Sequence, residues 1–395
     1  MSAPTRRPRR SRLALAGAAA VLALLTVPAP GAQAAGSAPA PPLTGENLGP
    51  DRLPGCAAVV GSMTPRERLA QRLMVGVDAA DPAATAATVR TTQVGGVFIG
   101  GNATDLLRDQ ELRAVQAVAR IPIAVAVDDE GGRVQRIDEL DGSLPSARAM
   151  AARMSPDEVH RTAAERADRL LARGVTMNMA PTVDVGEQPA GSVIGDRSFG
   201  ADAEKVTTFA LAFAEGQRER GLFTVLKHFP GHGHANGDSH RGRVSTPPLA
   251  ELRELDLLPY ANLVGPDGPL SSREGRDRTG VMVGHLDVPG LTDDLPTSLT
   301  PAAYRLLRED YGFDGLVLTD DLGAMRAVTG RFDLPEAVER ALAAGADVAL
   351  WSTGGEVAPL LDDLEAALAA GRLDAGANDT AVQRVLSAKG VCGRS

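Results

Sequence analysis

The stretch FTVLKHFPGHGHANGDSH, residues 223–240, begins as an apolar strand and turns polar at Lys227 and His228; four of the chain's six histidines fall within residues 228–240. A short apolar run bounded by Pro and Gly is the signature of a strand buried on both faces. Runs of this kind recur: LMVGV (73–77), GGVFIG (95–100), PIAVAVD (122–128), VTMNMAP (175–181), FTVLKHF (223–229), GVMVGH (280–285), GLVLTD (315–320) and ADVALW (346–351). Segments of helical spacing lie between most of them, such as SPDEVHRTAAERADRLLARG (155–174), where Ser155 reads as an N-cap and Gly174 as a stop. Eight buried strands alternating with helices predict a parallel sheet, and eight strands close a (β/α)8 TIM-type barrel. A doubly wound open sheet is the competing arrangement. No internal repeat is visible beyond this alternation, so residues 51–395 read as one catalytic domain.

A barrel places its chemistry where strands run out into the following loops. Asp128, Lys227 with His228, His285, and Asp320 with Asp321 each close an otherwise apolar run. One polar strand end is equally well a cap, whereas several at the same rim point to a site.

The first residues are basic, then apolar from Leu13 to Val27, then of A-x-A type at Ala32-Gln33-Ala34. Residues 1–34 therefore read as an export signal cut after Ala34, with the pair Arg9-Arg10 leaving a twin-arginine route open. The apolar run is shorter than the roughly 20 residues a spanning helix needs, and none later replaces it, so no stable membrane insertion is expected. No Cys follows the cleavage point, which argues against a lipid anchor. Residues 35–50, rich in Pro, Gly and Ala, read as a flexible lead-in, and GPDGPLSSREGRDRTG (265–280) as a mobile surface loop. The first 34 residues carry five arginines and no acids, so their removal takes the formal charge from −9 to −14. That acidity argues against nucleic acid as a partner. Cys56 and Cys392, near opposite ends of an exported chain, are expected to form a disulfide that clamps the termini; two buried free thiols are the alternative.

The histidine cluster admits two chemistries. His232 and His234 beside Asp238 and His240 could be forced into a zinc site, but the segment follows a strand directly, contains Pro230, and has neither an HExxH helix nor paired cysteines. The acid–base alternative needs a carboxylate to orient the imidazole, and Asp238 lies two residues before His240. Attack at a sugar's anomeric carbon needs a second carboxylate, which LTDDLGAM offers as Asp320, with Asp321 as a close competitor. His160, His232 and His234 are expected to be solvated or to cap. The glycines of DDEGGR and PGHG read as turn residues.

Four segments carry a family resemblance: VAVDDEGGRVQR (125–136), IGDRSFG (194–200), KHFPGHG followed by DSH (227–240), and TDDLGAM (319–325). The chain resembles glycoside hydrolase family 3, specifically its N-acetyl-β-D-glucosaminidase branch, over nearly all of 63–351. The resemblance implies Asp320 as nucleophile, Asp238 and His240 as an acid–base dyad on a mobile loop after the fifth strand, and Asp128, Arg136, Arg197, Lys227 and His228 as substrate-binding groups. It implies no cofactor and no metal. Many larger relatives carry a further domain that supplies an acid–base glutamate, and the shorter chain here fits the dyad variant. The expected activity is release of terminal, non-reducing N-acetyl-β-D-glucosamine with retention, through a glycosyl-aspartate, from peptidoglycan fragments or short chitin oligomers, by a secreted monomer. Because a neutral imidazole repels an anionic acceptor less than a carboxylate would, phosphorolysis is one alternative. A non-catalytic sugar-binding protein is another.

Overall fold

The computed structural model describes residues 54–271 and 278–393; the expected signal segment 1–34, the lead-in 35–50 and residues 272–277 of the polar loop lie outside them. Eight parallel strands follow in chain order: β1 Leu73–Val77, β2 Gly96–Ile99, β3 Ala124–Val127, β4 Met177–Asn178, β5 Phe223–Phe229, β6 Thr279–Val283, β7 Leu316–Thr319 and β8 Ala349–Trp351. From β1 to β7 each strand pairs with the next, and β1 also pairs with β8. The ring closes where Val348 bridges Leu318, with the Thr319 N–H donating to the Val348 carbonyl at 3.1 Å. The sheet is thus a barrel and not the open, doubly wound alternative.

Side chains alternate along a strand with period two, and the barrel separates them accordingly. Met74, Phe98, Ala124, Ala126, Met177, Phe223, Val225, Met282, Leu316, Leu318 and Leu350 fill the interior. Their neighbours, such as Val75, Val97, Val125, Val281 and Val317, pack outward against the helices. The inward set on β3 is 124 and 126, on β5 it is 223 and 225, and on β7 it is 316 and 318. One more step of two reaches Asp128, Lys227 and Asp320, all at the C-terminal rim.

The fourth strand is much shorter than the expected run 175–181. Asn178 uses its side chain to hold Asp129, accepting from the Asp129 N–H at 2.9 Å and donating to the Asp129 carbonyl at 2.8 Å, and Pro181 has no N–H for a ladder. The segment 155–174 behaves as expected. Ser155 and Glu158 form a reciprocal capping box, the helix runs over Pro156–Ala172, and Gly174 beyond its end has φ +88°. This helix packs against Ala203–Glu219, where a Cβ on Gly216 would sit 2.2 Å from the His160 carbonyl, so only glycine permits the approach.

Cys56 and Cys392 form the expected disulfide, with Cα atoms 5.0 Å apart at a sequence separation of 336. They pack with Val59, Val60, Met63, Val382 and Leu386. The C-terminal helix Ala375–Ala388 places Val385 in the interior cluster and so covers the N-terminal end of the barrel. Among the described residues, no helix is long and apolar enough to cross a membrane.

Candidate active site

At the C-terminal rim, Lys227 is buried and its Nζ donates to Asp128 Oδ1 at 2.5 Å, with Glu130 Oε1 at 2.6 Å. Arg197 grips the same Glu130 with two parallel bonds, Nε to Oε2 at 2.8 Å and Nη2 to Oε1 at 2.7 Å. Fork-on-fork geometry of this kind fixes both planes. Burial alone would raise the Glu130 carboxyl; the Arg197 and Lys227 charges outweigh it and hold the group far below the usual carboxylate range. Burial likewise works against the Lys227 ammonium, but Asp128 and Glu130 raise it above its ordinary value. Glu130, Lys227 and Arg197 are therefore charged at neutral pH, and Asp128, less covered than Glu130, is 23% exposed at the mouth.

Strict alternation on β5 would turn Lys227 and His228 to opposite faces. The pairing with β6 shifts register between Leu226 and Phe229, and both side chains reach the rim; the Lys227–His228 peptide is cis. His228 Nδ1 lies 2.7 Å from Asp184 Oδ2, and its Nε2 lies 3.4 Å from Arg197 Nη2. Asp184 is wholly buried and also accepts from the backbone N–H of His232 at 2.7 Å. Burial pushes its carboxyl up, but His228 leads a set of favourable contacts that bring it below the ordinary value. An ionised partner on Nδ1 fixes the imidazole's orientation.

The two adjacent carboxylates after β7 differ sharply. Asp321 is spent on the loop: Oδ1 accepts from the N–H groups of Gly323, Ala324 and Ser352, and Oδ2 from the Ser352 hydroxyl. Asp320 accepts from the Asp321 N–H at 2.9 Å through Oδ1, and its Oδ2 has no protein donor among the described residues. Asp320 is 7% exposed. Burial raises its carboxyl, and the fields of His228 and His285, the Asp321 N–H and Lys227 together carry it below the ordinary value. His285 braces this loop, with Nε2 2.9 Å from the Asp321 carbonyl and Nδ1 2.6 Å from the Ser298 hydroxyl. Burial lowers its pKa, which fits a neutral ring that donates from Nε2 and accepts at Nδ1.

Asp238 and His240 do meet, with Oδ1 to Nδ1 at 2.9 Å, and the same oxygen takes the His240 N–H at 3.0 Å. Burial would raise Asp238, but those two bonds lower it, so the acid stays ionised beside the ring. The loop is tied by Asn236 to Ser245 at 2.7 Å and by the Ala327 N–H to the Ser239 carbonyl at 3.0 Å, which links it to the segment that follows Asp320. Among the described residues, neither member of this pair forms a hydrogen bond or ion pair with Asp320 or the Asp128–Lys227 cluster; the His240 side chain is 55% exposed.

Arg136 makes no hydrogen bond or ion pair with this cluster among the described residues. Its backbone N–H donates to Asp129 Oδ2 at 2.8 Å, its Nη1 donates to the Gln135 carbonyl at 2.8 Å, and its buried Nε has no partner among the described residues. Asp129 is itself locked by Arg166 in a wholly buried pair at 2.6 Å. The expectation of solvated or capping histidines fails most clearly at His232. This residue is 2% exposed, its ring lies 6.0 Å from the His228 ring, and neither ring nitrogen has a partner among the described residues. His234 pairs with Asp256 at 3.0 Å and His160 with Glu219 at 3.3 Å. Among the described residues, no three His, Cys, Asp or Glu side chains converge as a metal-ion site.

Sequence reasoning missed Glu130 and Asp184. For Glu130 a signal existed, since it shares the alternation of Asp128. Asp184 offered only an isolated acid in the apolar run VDV.

A family model described as the glycosyl hydrolase family 3 N terminal domain matches residues 64–388. The chain belongs to glycoside hydrolase family 3. Its relatives include the beta-hexosaminidase LpqI of Mycobacterium tuberculosis, 47% identical over 86% of this chain and 87% of that protein, and a beta-hexosaminidase of Mannheimia succiniciproducens, 34% identical over 64% and 72%. Among solved structures, a family 3 glycosyl hydrolase from Mycobacterium smegmatis is 49% identical with a TM-score of 0.78, covering 85% of this chain and 98% of that one. The M. tuberculosis LpqI structure gives 45% and 0.80, covering 85% and 97%. As a family 3 member the protein is a glycosidase with a carbohydrate substrate.

Proposed function

We propose that this glycosidase is a β-N-acetylhexosaminidase that removes terminal, non-reducing β-N-acetylglucosamine and retains the anomeric configuration. The observation that carries the reading is the contrast between neighbours after β7. Asp321 is saturated by hydrogen bonds, while Asp320 is ionised, nearly buried and keeps one oxygen without a donor among the described residues. That is the state required of a carboxylate that attacks an anomeric carbon and forms a glycosyl ester.

In this reading Asp128, Lys227 and His228 bind the outer hydroxyls, with Arg197 and Arg136 completing the pocket. His240 protonates the leaving oxygen and then deprotonates the incoming water, steadied by Asp238. The exposure of His240 and its distance from the cluster's contacts imply that the loop moves inward when substrate binds. The protein acts outside the cytoplasm as a monomer, on peptidoglycan fragments or chitin oligomers; the disulfide supports an oxidising compartment.

Proton NMR of a β-N-acetylglucosaminide digest tests the proposal, with the β-anomer expected as first product. A first-formed α-anomer overturns the nucleophilic role. Addition of phosphate is expected to leave free sugar as the product; accumulation of sugar-1-phosphate would establish the phosphorylase alternative instead.

A further inference from the structure

The loop after β5 has two parts that differ in support. Its root, residues 230–236, is packed on both sides. Toward the β4 connection, Asp184 takes the His232 N–H at 2.7 Å, Gln188 Nε2 donates to the Gly233 carbonyl at 2.8 Å, and a Cβ on Gly233 would overlap the Val185 carbonyl. On the other side lies Asp256, between the helices Leu249–Glu254 and Leu258–Val264. A Cβ on Gly231 would sit 2.5 Å from the Asp256 Cβ, and Gly231 has φ +127°, so only glycine permits this approach. The tip, residues 237–243, carries Asp238 and His240 and is mostly exposed.

One side chain of the root reaches across to Asp256. His234 Nδ1 lies 3.0 Å from each Asp256 oxygen, and no other residue donates to that carboxylate among the described residues. Asp256 is buried, whereas the His234 side chain is 36% exposed. Burial pushes the Asp256 carboxyl up, and the His234 contact opposes it. An N–H donated to a carboxylate is roughly twice as strong as a neutral hydrogen bond. In sequence His234 stands midway between His228, placed at the sugar's outer hydroxyls, and His240. Whatever fixes this point fixes the base from which His240 reaches the leaving oxygen, and a displacement of about 1 Å there can cost about 10²-fold in rate.

We propose that His234 is a positioning residue for the acid–base step: anchored on Asp256, it holds the root of the loop so that the Asp238–His240 tip delivers its proton to the leaving oxygen. The assignment rests on the proposed hexosaminidase activity. His234 acts through His240 and touches no part of the sugar itself.

The test compares wild type with three variants, with thermal unfolding as the check on folding. His234→Ala removes the tie. His234→Asn keeps an N–H that can reach Asp256. The double variant His234→Ala/Asp256→Ala removes both partners, so no buried carboxylate is left unpaired if the single Ala variant fails to fold. The value of kcat/KM, which covers the steps up to the glycosyl-enzyme, is measured on p-nitrophenyl N-acetyl-β-glucosaminide and on N,N′-diacetylchitobiose. A p-nitrophenolate leaves without a proton, whereas a sugar alcohol needs one. The folded Ala and double variants are expected to stay within about threefold of wild type on the aryl glycoside and to lose about thirtyfold or more on the disaccharide, with His234→Asn recovering to within about fivefold. Equal losses on both substrates, no loss on either, or an Asn variant as slow as the Ala variant overturn the assignment and leave the hexosaminidase reading intact. A wild type that turns over neither substrate overturns that reading, and the assignment with it.

Discussion

The two rims of the barrel are built from the same materials and finished differently. At the N-terminal rim Asp347 is buried and accepts from Arg308 at 2.6 Å, from Arg384 at 3.2 Å and from the Val317 N–H at 2.8 Å. Arg72 beside it donates to the Asn378 side chain and to the carbonyls of Leu342, Ala346 and Asp347. Burial, the largest influence on Arg72, brings it down to about 10, so it remains charged. At the C-terminal rim, by contrast, Asp320 Oδ2, both His232 nitrogens and Arg136 Nε lack a protein partner among the described residues. A buried group left without a partner costs about 1–3 kcal/mol, so such openings are expected only where water or a ligand completes them. The Asp347 cluster is paired within itself and holds the barrel together, whereas the groups left open around Asp320 stand where a ligand can complete them.

The sharpest way to break this comparison is to exchange the expected effects. Asp320→Ala is expected to lower kcat by about 10⁴-fold or more, because the step it serves has no substitute, with a melting temperature near that of wild type. Full activity in this variant would remove the nucleophile. Asp347→Ala is expected to show the reverse: about 3–5 kcal/mol of stability lost in denaturant unfolding, because Arg308 and Arg384 lose a buried counter-charge, with kcat per folded molecule unchanged. A normal unfolding midpoint would show that the N-terminal rim does not depend on its ion pairs.

A smaller effect sharpens the account of the dyad. Asp238→Asn is expected to lower kcat by about 10²-fold and leave stability unaltered, since the pair is partly exposed. An unchanged kcat would remove Asp238 from the acid–base step. The smallest effect is in acid. Glu130, Asp184 and Asp320 all titrate below their ordinary values in the folded protein. The unfolded chain takes up their protons near pH 4 while the folded state still resists. Their contribution is therefore complete above that range and lost as pH falls through the folded values. Melting temperature should decline steeply below about pH 4, and Glu130→Gln should soften the decline. An unaltered slope would place the acid sensitivity elsewhere.

Much of the barrel was legible because each strand is buried on both faces and so reads as an apolar run. The exception is β4, whose Asn178 leaves the ladder pattern to hold Asp129. Asp128, Lys227 and Asp320 were visible for the same reason, since a charge that ends an apolar run stands out. Glu130 and Asp184 were not, because their meaning lies in partners 67 and 44 residues away, Arg197 and His228. His232 misled in the opposite sense: a histidine in a glycine-rich loop suggests solvent, and only the fold turns it inward beside Asp184.

The most direct test of the central claim is to trap the glycosyl-enzyme with a fluorinated N-acetylglucosaminyl fluoride and sequence the labelled peptide by mass spectrometry. The account predicts one sugar per chain, attached to Asp320. A label on Asp321 or on any other residue would contradict it.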